Sequence, residues 1–459
     1  MKDGAIAAVI LAAGLGTRMK STLPKVLHPV AGRPMIRHLL ASVEALKPGR
    51  IVVVVGREGA PVAEAVAPVP TVVQDPPLGT GHAVLAARDA MAGFVGDVLV
   101  LFGGDPLTSA ATMTRLVEAR RQAGAAVAVL GMRVTGSNMY GRLVTDRMGR
   151  LERIVEFRDA SPEERAIELC NGGVMALDAR VAWDLLASLG NANAKQEYYL
   201  TGVVAAARAA GHVCVALESS DPEELQGVDT RADLAKVEAI VQRDLRNRAM
   251  LDGVTLIDPS SVTLHWDTML RPDVTIEPNV VFGPGVRVAG GAVIRAFSHL
   301  EGAEVGPGAI VGPYARLRPG ARIGADAHIG NFVEVKNAVI GEGAKANHLS
   351  YVGDAEVGPR ANIGAGTITA NYDGVATKAR TVIGAGVSIG SNSVLVAPVS
   401  VGDRAIIGAG SVIARDVPAD ALALTRAQHE ERPGGAARFR AKRAKPPSTK
   451  AKARSNDPA

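Results

Sequence analysis

From about Ile276 to Ile413 the chain keeps a six-residue beat. Ile383, Ile389, Leu395, Val401, Ile407 and Ile413 fall six apart, mostly with Gly or another small residue just behind them. Val305, Val311, Leu317, Ile323, Ile329 and Val335 repeat the pattern, as do Ile276, Phe282, Val288 and Ile294. One inward aliphatic every six residues fits neither a 3.6-residue helix nor the two-residue alternation of a free strand. It fits hexapeptide repeats winding a parallel β-helix, in which three hexads close one triangular coil. Coils stack at the ordinary strand spacing of roughly 4.8 Å, and the beat is long enough for about eight coils of eighteen residues. The narrow interior of such a prism takes Ile, Val, Leu and Ala rather than rings. Composition agrees: hydrophobic residues are 47% of the chain and aromatics only 3%.

A chain of 459 residues is too long for one core, so at least one further domain is expected. Over residues 1–228, Ala5 to Leu11, Ile51 to Val55, Val98 to Phe102 and Ala125 to Leu130 read as continuous apolar strands. Pro34 to Leu46 and Ala83 to Ala92 read as helices between them. That order predicts an α/β unit, a mostly parallel Rossmann-like sheet with helices on both faces. Ligands then belong at the carboxyl ends of the strands. Residues 229–252 read as a helical linker. Thr230 and Asp233 form a capping box, Leu234, Val237, Val241 and Leu245 make one apolar stripe, and Gly253 ends it. The β-helix occupies 253–430, and 431–459 form a basic tail expected to be disordered.

The net charge of +5 belongs to that tail, where Arg438, Arg440, Lys442, Arg443, Lys445, Lys450, Lys452 and Arg454 face only Asp457. Without it the body is close to neutral. Phe439 is the one aromatic among these cations, which argues against a specific nucleic-acid partner. No apolar run approaches the roughly 18 residues that cross a bilayer, so no membrane insertion is expected. Met1-Lys2-Asp3-Gly4 lacks the layout of a signal peptide. Cys170 and Cys214, the only cysteines, read as free buried thiols of a cytoplasmic protein.

Chemistry is first suggested directly after the first strand, at Leu11-Ala12-Ala13-Gly14-Leu15-Gly16-Thr17-Arg18-Met19. Glycines there let backbone N–H groups approach a phosphate. Arg18 and then Lys25, in Leu23-Pro24-Lys25-Val26-Leu27, add two cations. Together they suit a nucleoside triphosphate losing pyrophosphate. The loop is not a Walker loop, which would end in Gly-Lys-Ser/Thr. A second site is suggested where the hexapeptide beat breaks, at Asn337 to Tyr351 and at Asn371 to Thr381, because insertions in a solenoid map to loops on a binding face. The first break carries Asn347-His348-Leu349-Ser350-Tyr351 after Lys336, and the second opens with Asn371-Tyr372-Asp373-Gly374. His348 is the side chain suited to take a proton from a substrate near neutral pH.

The run Leu-Ala-Ala-Gly-x-Gly-Thr-Arg-Met with Pro-Lys-Val-Leu resembles the sugar-1-phosphate nucleotidylyltransferase family. With the hexapeptide half, residues 1 to about 430 resemble its bifunctional bacterial branch. Members of that branch acetylate glucosamine-1-phosphate from acetyl-CoA and transfer UMP from UTP to N-acetylglucosamine-1-phosphate. The resemblance implies a left-handed β-helix, a homotrimer and Mg²⁺. It implies that Leu11, Ala12, Ala13, Gly14 and Lys25 hold the nucleotide and that Arg18 stabilises charge at the phosphorus. Gln74, Gly79 and Thr80 match uridine contacts. Gly103, Gly104 and Asp105 match the loop of the Mg²⁺ carboxylate, with Asp229 as second metal ligand. Gly141, Glu156 and Asn171 match the N-acetylglucosamine pocket. In the other half His348 matches the proton acceptor, and Arg318, Lys336, Tyr351 and Asn362 match contacts to the sugar phosphate. Ala365, Asn371, Tyr372, Ser391, Ala409 and Arg426 match acetyl-CoA contacts.

Two departures stand out. The family's Gly-Val-Asn is Gly227-Val228-Asp229 here, and its aromatic-Gly-Asp-x-Pro-Leu is Phe102-Gly103-Gly104-Asp105-Pro106-Leu107. Ungapped, Gly104 takes the place of the metal carboxylate, so the loop is expected to shift by one residue for Asp105 to serve. Other readings compatible with the sequence are a nucleotidylyltransferase for another sugar with a structural or regulatory β-helix, and a non-enzymatic assembly subunit.

Overall fold

The computed structural model describes residues 5–136, 138–193, 195–375 and 377–443. At the centre of the N-terminal unit, strand Ile6–Ala12 pairs in parallel with Arg50–Gly56 and Asp97–Phe102. Thr71–Gln74 extends the sheet on one side; Leu169–Asp178, Val127–Arg133 and Cys214–Glu218 follow in that order on the other. Ala7, Val9 and Leu11 enter one core and Ala8, Ile10 and Ala12 the opposite one. Both faces are covered, which is why the strand is apolar throughout rather than alternating.

The sheet is mixed, because Leu169–Asp178 runs antiparallel to both its neighbours. The chain reaches that strand through the hairpin Arg142–Thr145 and Leu151–Val155 rather than through a helical crossover, so nothing forces a parallel return. Helix Met35–Ala45 forms as expected, burying Ile36, Leu39, Leu40 and Val43. The helix expected over 83–92 is instead a short helix, Thr80–Leu85, and a separate 3₁₀ turn, Asp89–Met91. The Arg50 guanidinium takes the carbonyls of Ala90 and Ala92, which removes them from a helical ladder.

In the C-terminal unit three parallel sheets form the faces of a prism. One inward column runs Ile276, Ile294, Val311, Ile329, Ala346, Ile363, Ile389, Ile407, each paired with the next. These residues are buried in a single continuous core. The first break in the beat is no inserted loop. Ile329 pairs with Ala346, Val335 with Val352 and Ile340 with Val357, so this coil is one residue short rather than long. His348 accordingly ends strand Lys345–His348. The coils approach closely at Gly330, where a Cβ would clash with the Asn347 carbonyl oxygen. The second break is a true insertion, since Ile363 pairs with Ile389, eight residues beyond a regular coil.

The two units meet at the arm helix, Arg231–Leu251, whose N-terminus is closed by reciprocal Thr230 and Asp233 bonds. Its stripe is shared. Leu234, Val237 and Val241 pack with Met19, Val30 and Met35 of the first unit, and Leu245 and Ala249 against the prism core. Gln242, 6% exposed, donates to the Leu264 carbonyl at 2.6 Å and accepts from its N–H at 2.9 Å. The hairpin Pro29–Pro34 is held from both sides. Ala31 N–H donates to Glu238 Oε2 at 2.6 Å, and the Ala31 carbonyl accepts from Trp266 N–H at 2.9 Å. Arg33 lies over the Trp266 ring at 4.5 Å.

The tail departs from the expected disorder over Gly435–Arg443, which is helical with no buried residue. Ala, Arg and Lys are strong helix formers even without packing; residues 444–459 lie outside the described residues. Among the described residues no helix is long and apolar enough to cross a membrane.

Replacing Gln242 by Leu leaves both Leu264 backbone groups unpaired inside the junction. Chemical unfolding of Gln242→Leu should show a loss of about 2–4 kcal/mol; an unchanged midpoint and slope would show that the junction adds nothing.

Candidate active sites

At the carboxyl end of Ile6–Ala12 the chain turns outward through Ala13–Gly16 into a 3₁₀ turn, Thr17–Met19. A second 3₁₀ turn, Lys25–Leu27, brings Lys25 back beside it. Leu11 and Ala12 are buried, whereas Gly14 is exposed with no atom within 4 Å of where a Cβ would stand. That leaves its backbone open to a ligand. Arg18 and Lys25 converge on one atom: Arg18 Nη2 lies 2.9 Å and Lys25 Nζ 3.0 Å from Asp229 Oδ1.

The loop after Asp97–Phe102 is pinned at its base, Gly103 N–H to the Leu11 carbonyl and Val228 N–H to the Gly104 carbonyl. A Cβ on Gly104 would stand 2.9 Å from Lys25 Nζ. The position facing Lys25 therefore carries no side chain. Asp105 keeps its own place, its N–H bonded to the Phe102 carbonyl and its carboxylate directed between Gly173 and Gly227. Burial pushes that carboxyl up to about 7, with Lys25 pulling it down and Asp229 pushing it further up. From this position Asp105 lies within electrostatic reach of Lys25 and Asp229.

The remaining residues matched in this half line the same end of the sheet. Gln74 is buried; its amide nitrogen donates to the Gly79 carbonyl at 2.9 Å and lies 3.1 Å from His82 Nδ1. Gly79 has φ +114, and a Cβ there would sit 2.8 Å from Tyr198 backbone. The Thr80 hydroxyl accepts from Leu200 N–H. Asn171 N–H donates to the Gly141 carbonyl and its Oδ1 accepts from Gly173 N–H, while Glu156 accepts from the Thr201 hydroxyl. Tyr140, not singled out in the sequence, joins this pocket to the carboxylates. Burial raises its pKa first, then the charges of Asp105, Asp233 and Asp229. It was legible only as the residue before Gly141.

Two carboxylates within electrostatic reach of one another and of two cations form a hard-oxygen donor set. Among the described residues no group of three or more His, Cys, Asp or Glu is placed to hold a metal. The set fits Mg²⁺, which uses few protein oxygens and takes the rest of its shell from water and substrate phosphates. It does not fit an ion that needs four protein ligands.

On the prism the matched residues fall along two edges of one face. His348, Ala365, Ser391 and Ala409 occupy successive coils at one corner, tied by Gly366 N–H to the His348 carbonyl, Asn392 N–H to Ala365 and Gly410 N–H to Ser391. Three coil steps separate His348 from Ala409, about 14 Å. Arg426 lies beside this column, with Nη2 3.6 Å from a Cβ placed on Gly408. Across the face, Arg318 Nη1 donates to Glu334 Oε1 at 2.8 Å, and Lys336 ends the strand stacked above. The buried Arg318 Nε has no partner. Tyr351 opens the strand between the edges and stacks on Glu334. Asn371 Nδ2 lies 3.4 Å from Tyr351 Oη and bonds closely to Asp354.

His348 is exposed, and its Nδ1 lies 2.7 Å from Asn331 Oδ1. With the Asn331 oxygen as acceptor, the proton sits on Nδ1 and the lone pair of Nε2 faces out. The structure does not bring Asn362 or Tyr372 into this arrangement within one chain. Asn362 stacks on Lys345 on the neighbouring sheet, and Tyr372 bonds back to the Val375 carbonyl on the inserted loop. Asn331, Glu334 and Asp354 went unnoticed in the sequence, because isolated polar residues on outward positions are the norm in such repeats.

Fold and sites together define a nucleotidyltransferase domain joined to a hexapeptide-repeat transferase. Residues 8–168 match the MobA-like NTP transferase domain, and residues 302–337 and 380–415 match the bacterial transferase hexapeptide of six repeats. "Bifunctional protein GlmU" of Rhodospirillum rubrum is 59% identical over 436 residues, covering 95% of this chain and 97% of that protein. "Bifunctional protein GlmU" of Rhizorhabdus wittichii is 58% identical over 443 residues, covering 96% and 98%. The protein of the same name from Paramagnetospirillum magneticum is 54% identical over 445 residues, covering 97% and 98%. The chain belongs to the GlmU family. It is a uridylyltransferase and acetyltransferase of UDP-N-acetylglucosamine synthesis.

Asp229 pairs with both cations expected to meet a triphosphate. Asp229→Asn should therefore tighten UTP binding in EDTA about three- to tenfold, a range set by the partial exposure of the pair, while weakening Mg²⁺ binding. Titration calorimetry checks both; weaker UTP binding in EDTA would contradict this reading.

Proposed function

We propose that the corner at His348 and the loop ends at Arg18 and Lys25 divide the synthesis into two separate steps. At the prism, glucosamine-1-phosphate would lie across the face with its phosphate on Arg318 and Lys336, charge-assisted contacts that fix its position. The amine nitrogen attacks the thioester carbonyl of acetyl-CoA as His348 Nε2 takes its proton. The N–C bond forms, the C–S bond breaks, and the coenzyme leaves as a thiolate that recovers the proton. The His348 to Ala409 column, with Arg426 at its end, would carry the extended coenzyme. The observation that supports this most is the Asn331 bond, which leaves Nε2 free as the base.

At the sheet, an oxygen of N-acetylglucosamine-1-phosphate attacks the α-phosphorus of UTP and the bond to the β-phosphate breaks, releasing pyrophosphate. Arg18 and Lys25 offset the charge that builds there. Gln74, Gly79 and Thr80 would seat the uridine, and Gly141, Glu156 and Asn171 the sugar. Asp105 and Asp229 would hold Mg²⁺, which supplies charge neutralisation for the phosphates. Charged substrates of this kind would be met in the cytoplasm.

The acetyltransferase site is proposed to be completed in a homotrimer through the prism. Asn362 and Tyr372 face away from His348 in one chain and could meet a substrate only across a neighbouring prism. The corner below His348 also exposes a stacked ladder, Phe297 on Tyr314 at 4.9 Å and Tyr314 on Phe332 at 5.4 Å, continued by exposed Leu349. An apolar strip of that length is what a subunit interface covers.

His348→Ala should abolish acetyl transfer, with a loss of at least ~10²-fold, and leave uridylyl transfer within about twofold. Loss of both would argue against separable sites. Phe332→Asp should convert a trimer to monomers by light scattering and depress acetyl transfer about tenfold or more through loss of the shared site. A monomeric native protein would remove the trimer from the account.

A further inference from the structure

The arm reaches back into the uridylyl site at its first residue. Arg231 Nε donates to the Met19 carbonyl at 3.2 Å, and Arg231 Nη1 lies 3.2 Å from His28 Nδ1. Met19 directly follows Arg18. His28 closes the turn that carries Lys25, its N–H donating to the Lys25 carbonyl at 3.2 Å. One guanidinium therefore ties together the two loops that present the two cations.

The chemistry of the contact is specific. A guanidinium only donates, so His28 must offer its Nδ1 lone pair and keep its proton on Nε2. Burial, and then the neighbouring Arg231 charge, lower the pKa of His28 and keep the ring neutral. The ring is 3% exposed, and besides Arg231 the polar group acting on it is the Leu23 backbone, whose hydrogen bond favours a proton on the ring. Among the described residues no carboxylate lies within salt-bridge distance of Arg231. Its bonds go to neutral acceptors in two fixed directions, which suits a spacer rather than a counter-ion. Lysine, a point charge without the planar fork, could reach only one of the two.

We propose that Arg231 is a positioning residue for uridylyl transfer: by bridging Met19 and His28 it sets the separation of Arg18 from Lys25 across the reacting phosphates. The inference rests on the assignment of those two cations to the nucleotide site. It makes the first turn of the arm part of that site rather than a linker beyond it. A triphosphate can still bind when the loops part by a fraction of an ångström. The charge developing at phosphorus is then no longer met from both sides, so the effect falls on kcat.

The test uses the full-length enzyme and compares initial rates of both activities. Arg231→Ala should lower the kcat of uridylyl transfer ~30-fold, leave KM for UTP within about threefold, and leave acetyl transfer unchanged. Arg231→Lys should fall between. His28→Asn keeps an acceptor near the Nδ1 position and should retain most of kcat, whereas His28→Leu should lose it. Adding Arg231→Ala to His28→Leu should cost little more, as expected for partners in one interaction. A wild-type kcat in Arg231→Ala would overturn the proposal. So would a raised KM at constant kcat, which would make Arg231 a direct ligand, or equal loss of both activities, which would make it a general support. A wild-type enzyme without uridylyl transfer would overturn the nucleotide site itself, and this failure is visible before any variant is compared.

Discussion

Coil-on-coil backbone pairing in the prism is the constraint on which the rest of the molecule depends. Most hexads bury an aliphatic and the small or aliphatic residue two places before it, as with Val286 and Val288, so a residue's position in the six-residue register decides whether it packs or faces outward. The face between His348 and Lys336 is built by stacking: Asn331 under His348, Glu334 under Tyr351, and the Ala365, Ser391 and Ala409 corner above. A side chain there is placed by backbone ladders on both sides, which holds it more firmly than a loop would. The prism also supplies the first coil, and through Leu264 and Trp266 that coil grips the arm and the hairpin behind Lys25.

The nucleotide end works by the opposite means. Its cations stand on short 3₁₀ turns rather than in a ladder, so their separation depends on what is bonded across them. Asp229 and Arg231, two residues apart at the start of the arm, do this in different ways. Asp229 gathers both cations by charge, and Arg231 ties their loops together by hydrogen bonds to neutral acceptors. On the proposed reading the charge contact would yield to arriving phosphates, and the Arg231 contacts would persist. The start of the arm would then release the cations to substrate and still hold the loops that carry them.

Much of this was legible in the sequence, for physical reasons. The inward aliphatics repeat because the prism has no other place for them, so the prism itself and its true insertion at Asn371 could be read directly. The strand Ile6–Ala12 declared itself by being apolar on both faces. Other features could not be read. A coil one residue short looks in sequence like a longer interruption, so His348 seemed to lie in a loop when it ends a strand. The antiparallel strand Leu169–Asp178 depends on the path of the preceding hairpin, which has no signature in hydrophobic period. The helix at Gly435–Arg443 has high propensity without an apolar face, a pattern that charge counting assigns to disorder. Asn331 and Arg231 are ordinary surface residues in sequence, and only their partners, far along the chain, give them a role.

The central claim is that one chain carries out both steps, although the carboxylate of its Gly104-Asp105 loop stands one place late. The most direct measurement supplies glucosamine-1-phosphate, acetyl-CoA, UTP and Mg²⁺ to the purified enzyme and follows free coenzyme thiol and pyrophosphate together. The account predicts that thiol appears first and pyrophosphate follows to equal yield, with no pyrophosphate when acetyl-CoA is withheld. Thiol without pyrophosphate would contradict it, and would mean that Asp105 cannot serve the nucleotide site from where it stands.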